Sequence, residues 1–373
     1  MFTATAASPD AIPALKNTGS FSEQLKRVHT HIQRQYPFIS CIDVALHHAA
    51  GNSLQLYSAS CSNSISALVK NAFFNDTNSP LQNQKPQVID DLGQIGANET
   101  EIRDYVQASG FKSGLIVPFV VDQQLCGLAF FTAHEKHCFT PQIMQQMQVY
   151  ARVIAQLVAS EGRTAQDLNL AVSAILRLNN VNKSESPQHL KRVAHYSRLI
   201  ATACADTHLL SEEWIEHLYL FAPLHDIGKV FMPEELLMKP GPLSPEEFER
   251  MKTHTLKGRD VIDHMIDSFG YKNHLHYTSM LRNIVTHHHE TIDGKGYPYG
   301  LKGDEIPLEA KIVAVADILD AMLTKRAYKE AWSMDKTLAE LRKLSGAKLD
   351  PEFVGILASH EQELVNIRTE CAE

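Results

Sequence analysis

No two of the six cysteines (Cys41, Cys61, Cys126, Cys138, Cys204 and Cys371) are close in the chain, and none forms a CxxC. That scatter predicts a reducing, cytoplasmic setting rather than a disulfide framework. No apolar run approaches the length of a membrane span, and the longest, near Leu115–Val121, is broken by Pro118. The N-terminus lacks a basic segment followed by an apolar one, so no secretory signal is expected. An excess of positive charge is also missing: 35 Lys and Arg face 43 Asp and Glu, a net charge of -8. The surface as a whole is therefore no trap for DNA, RNA or anionic lipid, and an anionic substrate would need a local basic pocket.

What is present is an ordinary globular balance, 44% hydrophobic and 21% charged, over 373 residues. That length suits two or three domains. Residues 1–20 are small, polar and proline-containing, and loose order is expected there. From Phe21, Leu25, Val28 and Ile32 recur with helical spacing. "SCIDVALHHAAGNSLQLYSAS" reads as two strands around a Gly-Asn turn at 51–52, and "GLIVPFVVDQQLCGLAFFTAH" as a second hairpin joined at 122–124. Strands flanked by helices predict an α+β domain with a mostly antiparallel sheet over 21–140. From Pro141 the period becomes helical, with Ile143, Met147, Tyr150, Ile154, Leu157 and Val158 on one stripe. This is a linking helix, assigned to 141–164, whose stripe would pack either on its own domain or against a second copy of the chain. The rest, 165–367, has the helix starts and Gly/Pro-rich loops of an all-α domain, as in "SPEEFERM", where Ser244 would cap and Glu247 stands three on. Residues 368–373 form a tail.

The helical half carries the chemistry. Glu185 and His189 are four apart; His225-Asp226 follows the apolar "LYLFAPL", with Lys229 beyond; then come His254, His287-His288-His289 with Glu290, and Asp317 with Asp320 inside the apolar "AKIVAVADILDAM". An imidazole or carboxylate at the end of a buried helix is costly unless paired. One such residue could be a satisfied core group. Several groups of metal-ligating type, without thiolate, point to iron, manganese or zinc. Their number exceeds what one ion can hold, so two or more ions are expected, a usual device for phosphoester hydrolysis. Adjacent histidines on a helix point apart. His288 and His289 are expected to serve different ions, with His287 turned away.

In their order, "HDIGK" (225–229), "HHHETIDGKGYP" (287–298) and "ADILDAMLTKRAYK" (316–329) resemble the HD-GYP branch of the HD phosphohydrolases. The likeness runs from Glu185 to about His360. It implies a metal-dependent phosphodiesterase that opens cyclic dinucleotides by attack of a metal-bridging hydroxide, taking cyclic di-GMP to pGpG and GMP. Cyclic GMP-AMP is the alternative substrate, and a non-hydrolytic receptor the alternative role. By the resemblance the metal ligands are His225, Asp226 (bridging), His254, His288, His289 and Asp317. Glu185 and His189 would hold a third ion. Iron is the metal the likeness implies first, manganese second. Lys229 would reach a phosphate oxygen; the other reading is a salt bridge to an acidic ligand. Arg326 and Lys329 resemble residues that grip the substrate phosphate. In the loop from Asp293 to Pro298, Gly296 lets backbone approach the ligand, while Tyr297 would contact the substrate or merely shape the loop. Glu290 is expected to hold this loop rather than a metal.

More loosely, "VIDDL" (88–92) and "GFKSGLIVPFVVDQQLCGLAFF" (110–131) resemble a GAF sensor domain over 21–160. That likeness implies regulation of the catalytic part, a homodimer through the linking helix and GAF-like domain, and GGDEF-type signalling partners. A haem or metal at His134, His137 and Cys138 is not expected.

Overall fold

The computed structural model describes residues 20–48, 53–61, 80–94, 108–121, 124–178, 186–268, 277–324 and 330–371; within 161–178 only the helical backbone is described. The chain divides into two compact units, Met1–Arg163 with Ser211–Glu213, and Thr164–Leu210 with Trp214–Glu373.

In the first unit, helix α1 (Phe21–Gln35) starts at Ser20, whose hydroxyl accepts from the Glu23 amide. Phe21, Leu25, Val28 and Ile32 are buried along it, as their spacing predicts. Five strands follow: β1 (Ile39–His48), β2 (Ser53–Ala59), β3 (Gln87–Ile89), β4 (Ser113–Val121) and β5 (Gln124–Ala133). They form one antiparallel sheet in the order β2-β1-β5-β4-β3. Alternation sorts its side chains between two faces. Ile42, Val44, Leu115, Val117, Ala129 and Phe131 join α1 in one core, while Cys41, Ala45, Ile116, Leu128 and Phe130 face a smaller cluster on the other side.

Helix α2 (Pro141–Leu178) is a single helix of 38 residues, running past residue 164. Met147, Tyr150, Ile154 and Leu157 are buried in the core of this same unit, with Ile143 and Val158 packed against it. The stripe thus packs on its own domain, the first of the two readings. One cysteine expectation is corrected: Cys41 and Cys61 form a disulfide. The pairing follows from register, because β1 and β2 are neighbours with Asp43 opposite Ala59, so two further residues outward bring Cys41 to Cys61.

The second unit is helical. Its main elements are α3 (Pro187–Ala203), α4 (Glu212–Phe221), α5 (Pro245–Lys252), α6 (His254–Ser268), α7 (Thr278–His287), α8 (Leu308–Leu323), α9 (Met334–Leu344), α10 (Pro351–Ser359) and α11 (Glu361–Glu370). Side-chain caps set several starts: Ser186 for α3, Ser333 for α9, Asp350 for α10, and for α5 the full capping box of Ser244 and Glu247. Helix α8 is buried on most sides, through Ala310, Ile312, Val313, Val315, Ala316, Leu319 and Leu323. It packs on α3 and α7. Together with Tyr196, Phe221, Ile284 and Phe353 these residues, Ala310 apart, make one continuous core. Any polar side chain on the inner faces of α3, α7 and α8 must find its partner inside. Among the described residues, no helix is long and apolar enough to cross a membrane.

Candidate metal centre

Five segments deliver the predicted ligands to one place. The chain leaves α4 through a short 3-10 turn, Ala222–Leu224, which ends on His225 and Asp226. The next turn rests on the start of α6, and Gly228 makes that possible. A Cβ there would lie 1.8 Å from the His254 carbonyl oxygen and 2.6 Å from the Gly258 nitrogen. The close crossing brings Asp226 beside His254. Helix α7 ends at His287 and hands His288 and His289 to the same spot. Helices α3 and α8 add His189 and Asp317.

Two donor sets result: Asp226 with His254, His288 and His289, and His225 with His189 and Asp317, each set lying within 4.8 Å; His288 and His289 thus fall in one set, not in different ones as expected, because both follow the end of α7. Asp226 stands between them. Its Oδ1 lies 3.1 Å from His254 Nε2 and 3.6 Å from His288 Nε2. Its Oδ2 lies 3.2 Å from His225 Nε2. On the second side, His189 Nε2 is 3.6 Å and His225 Nε2 4.0 Å from Asp317 Oδ1. Asp226 Oδ1 thus faces the first set and its Oδ2 faces His225 of the second.

The outer nitrogens show what the inner ones are for. His225 Nδ1 donates to Ala222 O (2.8 Å), His254 Nδ1 to Met251 O (2.7 Å) and His288 Nδ1 to Ile284 O (3.0 Å). A carbonyl oxygen only accepts, so Nδ1 carries the proton, and the neutral ring presents a lone pair at Nε2. Those three Nε2 atoms and Asp226 Oδ1 are buried and lack a hydrogen-bond partner, although they face one another. Lone pairs that converge on a carboxylate in a buried site need a cation between them. The residues present therefore fit a metal centre.

The electrostatics agree. Burial, reinforced by His288 and His254, holds the His289 imidazole well below its ordinary pKa. Burial likewise lowers His288, against the pull of Asp226. For His225 burial also disfavours the cation, but Asp226 and Asp317 outweigh it and the pKa rises. Burial would raise Asp226, yet Lys229 and His225 prevail and hold it well below the usual carboxylate range.

Lys229 makes the salt bridge that was its alternative reading. Its Nζ donates to Asp226 Oδ2 at 2.6 Å, the salt-bridge alternative, because three residues separate the two on one tight turn. His287 belongs to neither donor set and its ring lies 5.7 Å from that of Tyr299. Glu290 holds the loop, as expected: it is buried, and its two oxygens accept from the amides of Tyr299 (2.8 Å) and Leu301 (3.0 Å). Gly296 lies against that same corner. A Cβ on it would sit 2.4 Å from Glu290 Cα and from Thr291 N, both backbone. Gly296→Ala is therefore expected to shift the loop and cost about 1–3 kcal/mol, read as a fall in thermal midpoint. Tyr297 lies over His289 with ring centroids 4.7 Å apart. Glu185, Arg326 and Lys329 lie outside the described residues.

Two supporting residues were not assigned roles from sequence. Asp320, fully buried, accepts from His189 Nδ1 at 2.8 Å, and from Arg192 Nε and Nη2 at 2.6 and 3.0 Å. It orients His189 as the carbonyls orient the other histidines. Only the position of Arg192, one helical turn after His189, hinted at this.

Comparison with known proteins bears on this unit. Residues 178–353 match the family model of the HD domain. All seven donors, from His189 to Asp317, fall inside that HD match. A probable cyclic di-GMP phosphodiesterase of Vibrio cholerae is 34% identical over 222 residues, covering 58% of this chain and 50% of the relative. The cyclic di-GMP phosphodiesterase response regulator RpfG of Xanthomonas campestris is 37% identical over 212 residues, 57% of this chain and 53% of the relative. A 3'3'-cGAMP-specific phosphodiesterase 2 of Vibrio cholerae is 32% identical over 219 residues, 56% and 39%. The chain thus spans about half the length, or less, of these curated relatives.

Proposed function

We propose that this protein is an HD-GYP-type, metal-dependent phosphodiesterase acting on cyclic dinucleotides, taking cyclic di-GMP to pGpG and GMP. The observation that carries the reading is the convergence of three carbonyl-anchored histidines and Asp226 on one buried point. His254, His288, His289 and Asp226 would hold one ion; His189, His225 and Asp317, sharing Asp226, would hold another. Glu185 is proposed for a third. Iron is favoured and manganese is the second choice, since imidazole and carboxylate without thiolate suit both. When bound, such ions supply Lewis acidity at the phosphoryl group and lower the pKa of water.

The protein's own residues do the rest. Asp226 stays ionised because Lys229 and His225 face it, so it offers both oxygens at neutral pH. Lys229 keeps positive charge beside the phosphodiester and can donate to an oxygen of the scissile group. Arg326 and Lys329 are proposed to grip the substrate phosphate. The loop pinned by Glu290 sets Tyr297 against His289, where it and the backbone at Gly296 would contact the substrate. We further propose that the first unit acts as a GAF-like regulator, that the chain works as a homodimer, and that GGDEF-type proteins are its signalling partners.

The test is a product assay on protein purified without oxygen and loaded with iron or manganese. Cyclic di-GMP and cyclic GMP-AMP are supplied in parallel and products resolved by chromatography. Linear dinucleotide or mononucleotide is expected, faster from cyclic di-GMP. A faster rate with cyclic GMP-AMP would move the substrate assignment, which the 3'3'-cGAMP-specific relative keeps open. No product from either, with metal and dinucleotide both bound, would overturn hydrolysis in favour of a receptor.

A further inference from the structure

Helix α5 is short, solvent-facing, and has no buried residue. Even so it carries a phenylalanine, Phe248, that is 45% exposed. Its surroundings place that ring beside the metal centre. The Phe248 ring meets that of Tyr297 edge-on, with centroids 6.1 Å apart. Lys252, one turn further along, holds its Nζ 5.0 Å from the Phe248 centroid and 5.9 Å from that of Tyr297. Tyr297 in turn stands 4.7 Å from His289 and 6.3 Å from His254. A continuous row of rings therefore leads from the donor histidines through Tyr297 to Phe248 and Lys252 at the surface. The capping box fixes where α5 begins, and His254 follows its last residue by two positions, so one short segment sets both rim and centre.

A nucleotide has the same layout: a phosphate, and one sugar away a flat base. We propose that Phe248 and Lys252 form a purine subsite at the mouth of the metal centre, Phe248 stacking on the base and Lys252 donating to guanine. The inference rests on the phosphodiesterase reading above and names the part of the substrate that this face of the site selects. Stacking on an open aromatic face accepts any base. The ammonium does not. Guanine presents two adjacent acceptors, O6 and N7, whereas adenine sets an N6 donor beside N7. Lys252 thus favours guanine over adenine at this position. Its present partner, Glu249 at 2.6 Å, is itself mostly exposed, and such surface pairs are weak. With three N–H donors, Lys252 can keep Glu249 and still reach a base.

The experiment uses full-length, metal-loaded protein as wild type, F248A and K252M. Both positions are on an exposed helix that tolerates alanine or methionine, so folding is retained. Equilibrium binding of cyclic di-GMP and cyclic di-AMP is measured first, then turnover of both and of bis(p-nitrophenyl) phosphate, a diester without a purine. F248A is expected to weaken both dinucleotides roughly tenfold, in Kd and in KM rather than kcat. K252M is expected to lower the preference for cyclic di-GMP over cyclic di-AMP roughly tenfold. In each variant the change in KM for bis(p-nitrophenyl) phosphate should be several-fold smaller. Unaltered dinucleotide affinity in F248A, or an unaltered preference in K252M, would overturn the subsite. Wild-type protein that turns over none of the three diesters would overturn the phosphodiesterase reading instead, and the binding comparison would still decide the subsite.

Discussion

Asp226→Ala is expected to empty the metal centre and lower turnover of a cyclic dinucleotide by at least about 100-fold, since loss of mere outer partners of a metal ligand already costs 10–100-fold. The reason lies in how many groups share this one carboxylate. Its two oxygens face His225, His254, His288 and Lys229 within 3.6 Å. Without it the first donor set loses its one carboxylate, and His225 of the second loses the oxygen 3.2 Å from its Nε2. The helices that carry these residues are held by the apolar core, not by Asp226. Circular dichroism should therefore report an unchanged helical content while elemental analysis reports lost metal. Asp226→Asn, which keeps the shape and removes the charge, should behave alike. A fully loaded and fully active D226A protein would sink the assignment of this centre.

The second large effect is expected at Asp320, which touches no substrate. Asp320→Ala leaves the Arg192 guanidinium, whose side chain is only 11% exposed, without its anion. Breaking a buried pair from one side costs about 3–5 kcal/mol, much of it the stranded charge. For a domain of this size that corresponds to a fall of roughly 10 °C in thermal midpoint. His189 loses the acceptor of its Nδ1 proton as well, so metal content should fall alongside stability. The double variant R192M/D320L separates the two roles. Removing both charges should restore much of the midpoint, while the metal defect persists because His189 is still unheld. A single D320A variant with wild-type midpoint and metal content would refute the account.

How far the sequence revealed this molecule depended on whether a feature is local. Helix α1, the two hairpins and the capping box of α5 are set by spacing within a few residues, and each was readable in advance. The donor residues were also legible, because an imidazole or carboxylate inside an apolar run is too costly to bury without a partner or an ion. Features that depend on which helix face meets which were not. Asp320 and Asp317 lie on the same apolar helix, and nothing local says that the former serves Arg192 and His189 while the latter faces the centre. Lys229 read first as a contact to phosphate, and that its turn also brings it onto Asp226 needed the fold. The Cys41–Cys61 pair needed the register of two strands, which scatter along the chain does not disclose. Phe248 looked like any apolar residue of a short helix; its interest comes from its exposure.

The donors are supplied by chain segments far apart, and His189 and the Asp320 that orients it are separated by 131 positions. A ribosome works from one end, so His189, the His225-Asp226 pair and His254 all emerge well before Asp317 exists. No early stretch holds a finished half-site, since each donor set draws on at least three separate segments. The first set needs nothing beyond His289, whereas the second is completed only when α8 brings Asp317 against α3.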